Sequence, residues 1–398
     1  MRFNNIGLLP RVILAIIAGL VLGQFVGTTF VRWFATFNVL FGQFLSFSIP
    51  LIIIGLVAPG IAELGKSGGR LLGITVTLAY GSTLFAGFLA YLTCSAIFPP
   101  MLGISDSVLD GSAEAIPASL GLSPPIFVFE IPPAVSVTTA LLLAFVFGIG
   151  MAAAGSETLL SGFKESRSIL GKLIATAIVP LLPFHIFGLF LNMTHSGVAM
   201  QIISGFGKVI GVIFILHVLL LLIQFSVAGI VGRKNPLRML WTMSPAYVTA
   251  LGTSSSAATI PVTLESARKL GINNGVVDFC IPLCATIHLS GSMLKITATA
   301  LAVCLMAGLP HDLVLFTGFI LLLGIMMVAA PGIPGGAIMA ATGLLQSSLG
   351  FNEPQIALMI AIYLAIDSFG TAGNVTGDGA IAVIVDAVNI DEVAKKPS

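Results

Sequence analysis

The sequence predicts an all-α polytopic membrane protein with eight transmembrane helices and two re-entrant helical hairpins. Of its 398 residues, 57% are hydrophobic and only 8% are charged, a composition typical of chains that cross a bilayer several times. The mean hydropathy of +1.09 agrees with this assignment. Polar residues are concentrated in a few short breaks inside apolar runs, and these breaks predict the two hairpins.

Composition also limits the possible partners. The formal net charge is +1 and the sequence has no long run of like charges, so a nucleic-acid partner is not expected. Met and Phe are plentiful, which in a membrane indicates lipid-facing and packing surfaces, and no cofactor is predicted. The expected surroundings of the chain are therefore a lipid bilayer.

Clusters of Lys and Arg predict which ends of the apolar runs face the cytoplasm, because cytoplasmic loops of membrane proteins carry the excess of positive charge. They predict a multi-pass protein of the inner membrane with both termini on the cytoplasmic side. The clusters are Arg2 with Arg11, Lys66 with Arg70, Lys164 to Lys172, Arg233 to Arg238, Arg268 with Lys269, and Lys395 with Lys396.

Six apolar runs are expected to cross the membrane before residue 233. The loop at residues 97–130 carries acidic residues and no Lys or Arg, so we expect it to be external. The first run has no small-residue cleavage site and is expected to be a retained helix rather than a signal peptide. The six expected spans are residues 12–32, 37–64, 71–96, 134–160, 173–193 and 204–232.

Two later segments predict the hairpins. Residues 239–269 have cationic clusters at both ends, so the chain is expected to enter and leave on the same side. Their centre is a hydroxyl-rich turn at Thr253 to Ser256, which is tolerated at membrane depth only inside protein or beside a wet cavity. Residues 313–350 repeat the arrangement around Pro331 to Gly336, and are expected to enter from the opposite side.

Each hairpin is followed by an interrupted polar helix, expected at residues 274–307 and 354–387. Two such units entering from opposite faces form the inverted repeat that is typical of secondary transporters, with the substrate site near the membrane midplane. A channel-like conductance is an alternative, although a channel needs a continuous pore rather than two opposed hairpins.

The last interrupted helix carries an unusual polar face. Two carboxylates at membrane depth cost roughly 2.5–3.5 kcal/mol each, and such groups mark an ion or substrate pathway. Glycines at 370, 373 and 377 leave the backbone bare beside this face, so a small ligand is expected to approach it closely. The residues that share the face, at spacings i, i+4, i+7 and i+11, are Asp367, Thr371, Asn374 and Asp378.

Four segments resemble motifs of the dicarboxylate/amino acid:cation symporters, the family of the glutamate and neutral amino acid transporters. The resemblance runs along the whole chain in segment order and is strongest from residue 239 onward. Together the four motifs are specific, although each alone is weak. They are the serine-rich hairpin Ser254 to Thr263, the unwound seventh helix Pro282 to Ser292, the second-hairpin tip Gly332 to Ala337, and Asn374 to Asp378 in the eighth helix.

This resemblance implies a homotrimer with an elevator-type transporter fold. Residues 1–232 would form the scaffold and trimer contacts, and residues 233–398 the moving transport core. The second hairpin would be the extracellular gate, and its shortened tip resembles that of the bacterial serine/threonine branch. The implied activity is cation-coupled symport, and no enzymatic activity is expected.

The resemblance also implies a site for a zwitterionic amino acid. Asp367 lies where the family binds the substrate ammonium, and Asn374 where an amide binds its carboxylate. Converging amide and hydroxyl donors suit a carboxylate, whereas an ammonium requires an ionised partner. The implied substrate-binding set is Ser255, Ser256, Ser292, Ile333, Pro334, Gly335, Asp367, Gly370, Thr371 and Asn374.

Gly370 favours a neutral substrate such as serine, threonine or alanine. Transporters of acidic amino acids in this family carry an arginine at this position, and a buried anion without a cation costs several kcal/mol of desolvation. Two interpretations of Lys295 stay open. It would supply the missing cation for an acidic amino acid or dicarboxylate, or it pairs with a carbonyl or carboxylate between helices.

Cation coupling shows the largest departure from the family. The family has asparagine at the His288 position and aspartate at the Ser290 position, and losing that carboxylate is expected to weaken one sodium site. We therefore expect fewer bound Na⁺ ions, one of them at Thr286, Asn374 and Asp378. The implied cation-binding set is Ser82, Thr83, Cys284, Thr286, His288, Ser290, Asn374 and Asp378.

His288 leaves several interpretations open. A protonated imidazole would replace the missing sodium charge and couple transport to H⁺, as Lys295 would do with a permanent charge. A neutral histidine bonded inside the bundle is the simpler alternative. On an unbroken helix His288 would share a face with Cys280 and Cys284 and suit a soft metal. An intramembrane enzyme with Ser255 or Ser256 as nucleophile and His288 as base is a further alternative. It is disfavoured because no third group is evident that would orient the histidine.

Overall fold

The computed structural model describes residues 8–66, 70–103, 122–197, 199–330 and 335–393. Regular secondary structure in these ranges is helical, which agrees with the predicted all-α class. The helices are α1 (Leu8–Leu22), α2 (Thr28–Lys66), α3 (Arg70–Leu102), α4 (Val137–Ala154), α5 (Glu157–Leu173), a π-helix (Ile174–Ile178), α6 (Val179–His195), α7 (Ala199–Gly232), α8 (Pro236–Thr242), α9 (Ser244–Thr253), α10 (Ser256–Arg268), α11 (Asn274–Ile287), α12 (Ser290–Ala307), α13 (Leu313–Ala329), α14 (Gly336–Leu349), α15 (Glu353–Ala365) and α16 (Asp367–Val393).

Several helices are long and apolar enough to cross a bilayer, as a multi-pass membrane protein requires. Helices α15 and α16 bend by 62° at their junction and would add one further span as a pair. The expected total of eight spans stays a prediction. Within the described ranges, the five single helices that qualify are Thr28–Glu63, Arg70–Leu102, Glu157–His195, Ile203–Gly232 and Asn274–Ala307.

The expected boundary between the first two spans, 12–32 and 37–64, is wrong. The break lies at residues 23–27, so residues 28–32 belong to α2. Gly23 and Gly27 are the first and last residues of this break, and glycine forms helix more weakly than any residue except proline. Arg32 does not end a helix, because its guanidinium donates to the carbonyls of Pro124 and Pro125 at 3.3 and 3.4 Å.

The expected boundary between spans 134–160 and 173–193 is also wrong. Helix α4 ends at Gly155, where φ is +61°, and α5, the π-helix and α6 then continue without interruption. The chain stays helical through its charged segment because Lys164 and Arg167 both pair with Glu63 of α2, each at 3.1 Å. Charge alone therefore did not locate the end of this helix.

Helices α9 and α10 occupy the first predicted hairpin and pack against each other. The chain reverses at Ser254, which has a left-handed φ of +49°. Ser255 then caps α10, because its hydroxyl accepts a hydrogen bond from the backbone N–H of Ala258 at 3.3 Å. Re-entry of this hairpin from the cytoplasm stays a prediction.

Helices α13 and α14 occupy the second predicted hairpin and also pack against each other. Its tip at residues 331–334 lies outside the described residues, so the predicted substrate contacts of Ile333 and Pro334 do too. Gly335, the first described residue after the tip, has φ +75° and precedes α14.

Both polar helices are interrupted, as the sequence predicted. Helix α11 ends at Ile287 and α12 begins at Ser290, and the second interruption lies between α15 and α16 at Ile366. His288 lies in the first interruption, with φ −105° and ψ 89°, so it does not continue the α11 face of Cys280 and Cys284. The idea of a soft-metal site on an unbroken helix is therefore wrong.

Helix α16 lies at the centre of the C-terminal half. It packs against α3, α7, α9, α10, α11 and α12, which include both helices of the first hairpin and both halves of the first interrupted helix. Every residue from 370 to 383 is buried. The polar groups in this stretch therefore face protein rather than lipid.

We predict that Gly148→Ala destabilises the protein, because α4 packs closely on α2 at this residue. An added Cβ would lie 2.7 Å from the Ile61 Cβ and 3.0 Å from the Ala58 carbonyl. Such overpacking costs about 1–3 kcal/mol. The thermal midpoint of the purified protein is expected to fall.

Gly150→Ala is the matched control. It lies on the same helix and its Cβ would meet nothing within 4 Å. Replacing glycine by alanine there favours helix by up to about 1 kcal/mol, so the midpoint is expected to stay or rise. Equal midpoints for the two variants would contradict the described packing of α2 on α4.

Candidate functional site

Asp367 begins α16, directly after the bend, and is 6% exposed. Its Oδ2 accepts a hydrogen bond from the backbone N–H of Gly335 at 2.8 Å. That N–H lies at the start of α14, and helix N-termini favour negative charge. The carboxylate therefore lies where the second hairpin meets the bent helix.

Lys295 of α12 is the cation beside this carboxylate. Its Nζ is 3.4 Å from Asp367 Oδ1 and 3.3 Å from the carbonyl oxygen of Ile366. It also lies 3.9 Å from the centre of the Tyr363 ring, a distance typical of a cation–π contact. Of the two interpretations drawn from the sequence, the structure shows the lysine paired with a carboxylate and carbonyls between helices.

Gly370 makes room for this lysine. A Cβ at position 370 would overlap the Nζ and Cε atoms of Lys295. The space that the sequence analysis left open to a small ligand is therefore filled by the protein itself. A cation does reach this region, but it comes from α12 rather than from position 370.

Asn374 joins α16 to the start of α12. Its Oδ1 accepts hydrogen bonds from the backbone N–H groups of Gly291 and Ser292, at 2.8 and 3.3 Å. Its Nδ2 donates to the Ser292 hydroxyl at 3.1 Å, and the Tyr363 hydroxyl donates to the same oxygen at 3.0 Å. Thr371, one turn before Asn374, donates to the Asp367 carbonyl at 3.1 Å.

The serines of the first hairpin lie at its reversal. Ser255 caps α10, and Ser256, the first residue of that helix, is 7% exposed. Both hairpin helices pack against α16. The structure thus brings together Asp367, Gly370, Thr371, Asn374, Ser292 and Gly335, and places the serine turn on helices that pack on the same α16.

A second polar cluster lies toward the other end of the same face. Asp378 is fully buried, and its Oδ1 is 2.9 Å from Nδ1 of His288. The other ring nitrogen of His288 is 3.0 Å from the hydroxyl of Ser82 on α3. The imidazole therefore bridges the interrupted helix, α3 and α16.

Gln224 of α7 completes this cluster, and the sequence analysis missed it. Its Nε2 donates to the hydroxyls of Ser82 and Ser290, at 2.9 and 3.0 Å. A lone amide within an apolar run is the signal that would have indicated it. One buried side chain thus links the Ser290 hydroxyl to the Ser82 hydroxyl, which also contacts His288.

Two buried oxygens of this cluster have no hydrogen-bond partner among the described residues. They are the Asp378 Oδ2 and the Gln224 Oε1. Unpaired buried oxygens are costly and need an explanation. A carboxylate, an amide oxygen and a hydroxyl are the donor types that Na⁺ prefers, so the chemistry of this cluster fits a hard cation.

The side chains of three predicted cation ligands bond or pack elsewhere in the structure. Thr286 is exposed and its hydroxyl donates to the Leu283 carbonyl at 2.8 Å. The Thr83 hydroxyl donates to the Ala79 carbonyl at 2.8 Å, and Cys284 is buried in an apolar cluster. Asn374 bonds to the start of α12 and Asp378 to His288, and the sodium site expected at Thr286, Asn374 and Asp378 stays a prediction.

Comparison with known proteins gives one family along the chain. The sequence pattern of the family described as "Sodium:dicarboxylate symporter family" matches residues 8–388. The serine/threonine transporter SstT of Bifidobacterium adolescentis is 28% identical over 350 residues, covering 85% of this chain and 79% of that protein.

Two further relatives come from a bacterium and a mammal. The serine/threonine transporter SstT of Acinetobacter baumannii is 27% identical over 395 residues, covering 96% of this chain and 97% of that protein. Excitatory amino acid transporter 2 of Mus musculus is 27% identical over 245 residues, covering 60% of this chain and 42% of that protein.

We predict that Gln224→Met lowers the thermal stability of the protein, because it removes both hydrogen bonds to Ser82 and Ser290 while keeping a similar volume. Losing the partner of the buried Ser290 hydroxyl costs about 1–3 kcal/mol, whereas the Ser82 hydroxyl keeps its contact with His288. Gln24→Met is the control, since Gln24 is exposed. Equal thermal midpoints for the two variants would show that the Gln224 bonds contribute little.

Proposed function

Because the chain belongs to the sodium:dicarboxylate symporter family, we propose that it moves a small neutral amino acid, such as serine, threonine or alanine, together with Na⁺. The family and the relatives are transporters rather than enzymes, and they support cation-coupled amino acid symport in general. Two relatives are named as serine/threonine transporters, which favours a hydroxyl-bearing or similarly small substrate.

The observation that best supports a neutral substrate is the pairing of Lys295 with Asp367 at 3.4 Å. An acidic substrate needs a cation for its side-chain carboxylate, since a buried anion without one is strongly disfavoured. The cation in this region is already paired with a carboxylate of the protein. A neutral side chain needs no such partner.

The proposed substrate site follows from the chemistry of a zwitterion. Asp367 would bind the ammonium group. Asn374 and the serine turn at Ser255 and Ser256 would bind the carboxylate through amide and hydroxyl donors. The hydroxyls of Ser292 and Thr371, both buried, would face a small polar side chain. Gly335 would complete the site from the second hairpin.

The proposed cation site is the Asp378 cluster. Asp378 Oδ2 and Gln224 Oε1 are buried oxygens that suit Na⁺, and Ser82 and Ser290 lie beside them. The other carboxylate oxygen of Asp378, Oδ1, is hydrogen-bonded to Nδ1 of His288. We expect it to take the place of one cation, so that this chain couples to fewer Na⁺ ions than relatives with a carboxylate at position 290.

The larger arrangement is proposed by family membership. Residues 1–232 would form the scaffold of a homotrimer in the inner membrane, and residues 233–398 the moving transport core, with both termini in the cytoplasm. The two interrupted helices and the hairpins that precede them belong to the second part. Movement of that part would give alternating access from either side.

A second candidate is an acidic amino acid or dicarboxylate. The observation that favours it is the position of Lys295, which lies where a side chain from residue 370 would reach. In that case the lysine would release Asp367 and bind the side-chain carboxylate of the substrate. H⁺ as a second coupling ion is a further candidate, because His288 lies in the cation cluster.

We predict that purified protein in liposomes accumulates serine, threonine or alanine under an inward Na⁺ gradient. Uptake of the preferred neutral amino acid is expected to exceed that of aspartate at least about tenfold, or about 1.4 kcal/mol. The measurement is a panel of labelled amino acids with Na⁺ or choline outside. Better accumulation of aspartate or a dicarboxylate would favour the second candidate.

We predict that His288→Asn increases the dependence of uptake on Na⁺. The substitution frees Asp378 Oδ1 and adds an amide oxygen, so a cation gains ligands. Half-maximal uptake is expected at lower Na⁺, or the Na⁺ dependence becomes steeper. Uptake should be measured while Na⁺ and pH are varied independently, and unchanged responses to both would contradict the proposed role of His288.

A further inference from the structure

Lys295 presents to Asp367 the same chemical group that an amino acid would present. Its head is a primary ammonium with three N–H donors. The Nζ is 3.4 Å from Asp367 Oδ1 and 3.4 Å from the Asp367 carbonyl. The proposed function places the ammonium of the substrate against this same carboxylate, so the two ammonium groups compete for one partner.

The surroundings of Lys295 form a built site for a cation. Within the described part of the chain it is the one Lys or Arg that is buried, with 1% of its surface exposed. The Ile366 carbonyl and the face of the Tyr363 ring both stabilise a positive charge. Gly370 leaves the space that the ammonium occupies.

We propose that Lys295 is a tethered counter-ion that occupies the ammonium subsite of Asp367 whenever the transporter carries no substrate. When an amino acid binds, its ammonium displaces that of Lys295 from Oδ1 of Asp367 only. Lys295 keeps the carbonyls of Ile366 and Asp367 and the Tyr363 ring, so it stays paired within the protein and is not free for an acidic side chain. This inference rests on the proposed function, because it takes Asp367 as the partner of the substrate ammonium.

The consequence concerns the step in which the transporter returns without substrate. An unpaired carboxylate in the interior of a membrane protein is strongly disfavoured. With Lys295 in place, Asp367 stays neutralised during the return, and no second ion has to be carried back for that purpose. Net transport requires this step, whereas exchange of one amino acid for another does not.

The experiment compares net uptake with exchange in liposomes containing wild-type protein or Lys295→Met. Net uptake is measured into liposomes without internal amino acid, and exchange into liposomes loaded with the same amino acid. Na⁺ is kept equal in both assays. Lys208→Met is the matched control, because it removes an exposed lysine on α7. Lys295→Arg keeps a cation in the site.

We predict that Lys295→Met lowers net uptake about tenfold, while exchange changes less than about threefold, differences of about 1.4 and 0.65 kcal/mol in the barrier. Half-maximal exchange is expected at a lower amino acid concentration, because a competitor of the substrate has been removed. Lys208→Met and Lys295→Arg are expected to keep the wild-type ratio of net uptake to exchange.

Three results would overturn the proposal. Net uptake and exchange that fall together in Lys295→Met would place the lysine in substrate binding, and loss of aspartate exchange alone would place it on an acidic side chain. An unchanged ratio would show that the return step does not use it. Failure of wild-type protein to transport any amino acid would instead contradict the proposed function.

If Lys295→Met does not fold, Lys295→Gln is used in the same experiment. Lys295→Gln removes the charge but keeps an amide that donates to the Ile366 carbonyl, so it avoids an unpaired polar group. Monodisperse elution and a thermal shift on adding amino acid identify folded protein. For folded Lys295→Gln the same fall in the ratio is expected, and a wild-type ratio overturns the proposal.

Discussion

The buried polar face of α16 is the constraint on which the rest of the C-terminal half depends. Each polar group there must find a partner inside the protein or remain as a costly unpaired atom. The partners come from other helices: Lys295 and the start of α12 for Asp367 and Asn374, and His288 for Asp378. The interruptions of the two polar helices are what bring these groups within reach, because they expose backbone N–H groups and turn His288 out of α11.

The glycines of α16 decide how closely the other helices approach. Lys295 lies against Gly370, His217 against Gly373, and Gln224 and His288 against Gly377. The sequence predicted open backbone at these positions, which is correct, and a ligand beside it, whereas the structure shows polar side chains of neighbouring helices. None of these contacts is local along the chain, so the spacing of residues within α16 contained no information about which side chains would fill the space.

The difference between local spacing and contacts from distant helices also explains what could be predicted from sequence. Polar residues within apolar runs predicted both interruptions and the four residues of the α16 face. At membrane depth a polar group must be buried in protein or line a water-filled cavity, so its position in the sequence is informative. Helix ends were less predictable. Arg32 and Lys164 suggested ends where the helices continue, since hydrogen bonds and ion pairs satisfy these side chains. Gln224 carried the same signal as the α16 residues, but its partners lie on α3 and α12 and are visible only in the folded chain.

Asn374 links the Asp367 cluster and the Asp378 cluster, because it lies between them on α16 and bonds to α12. Asp367 and Asp378 are 11 residues apart, about 16 Å along a helix of 1.5 Å rise per residue. Asn374 lies between them and holds the start of α12, the helix that also contributes Lys295. Because only Leu289 separates His288 from α12, a shift of α12 relative to α16 would alter the Lys295 contact at one end and the His288 contact at the other. Under the proposed function, substrate and cation would therefore act on one helix pair, and their coupling would need no additional moving element.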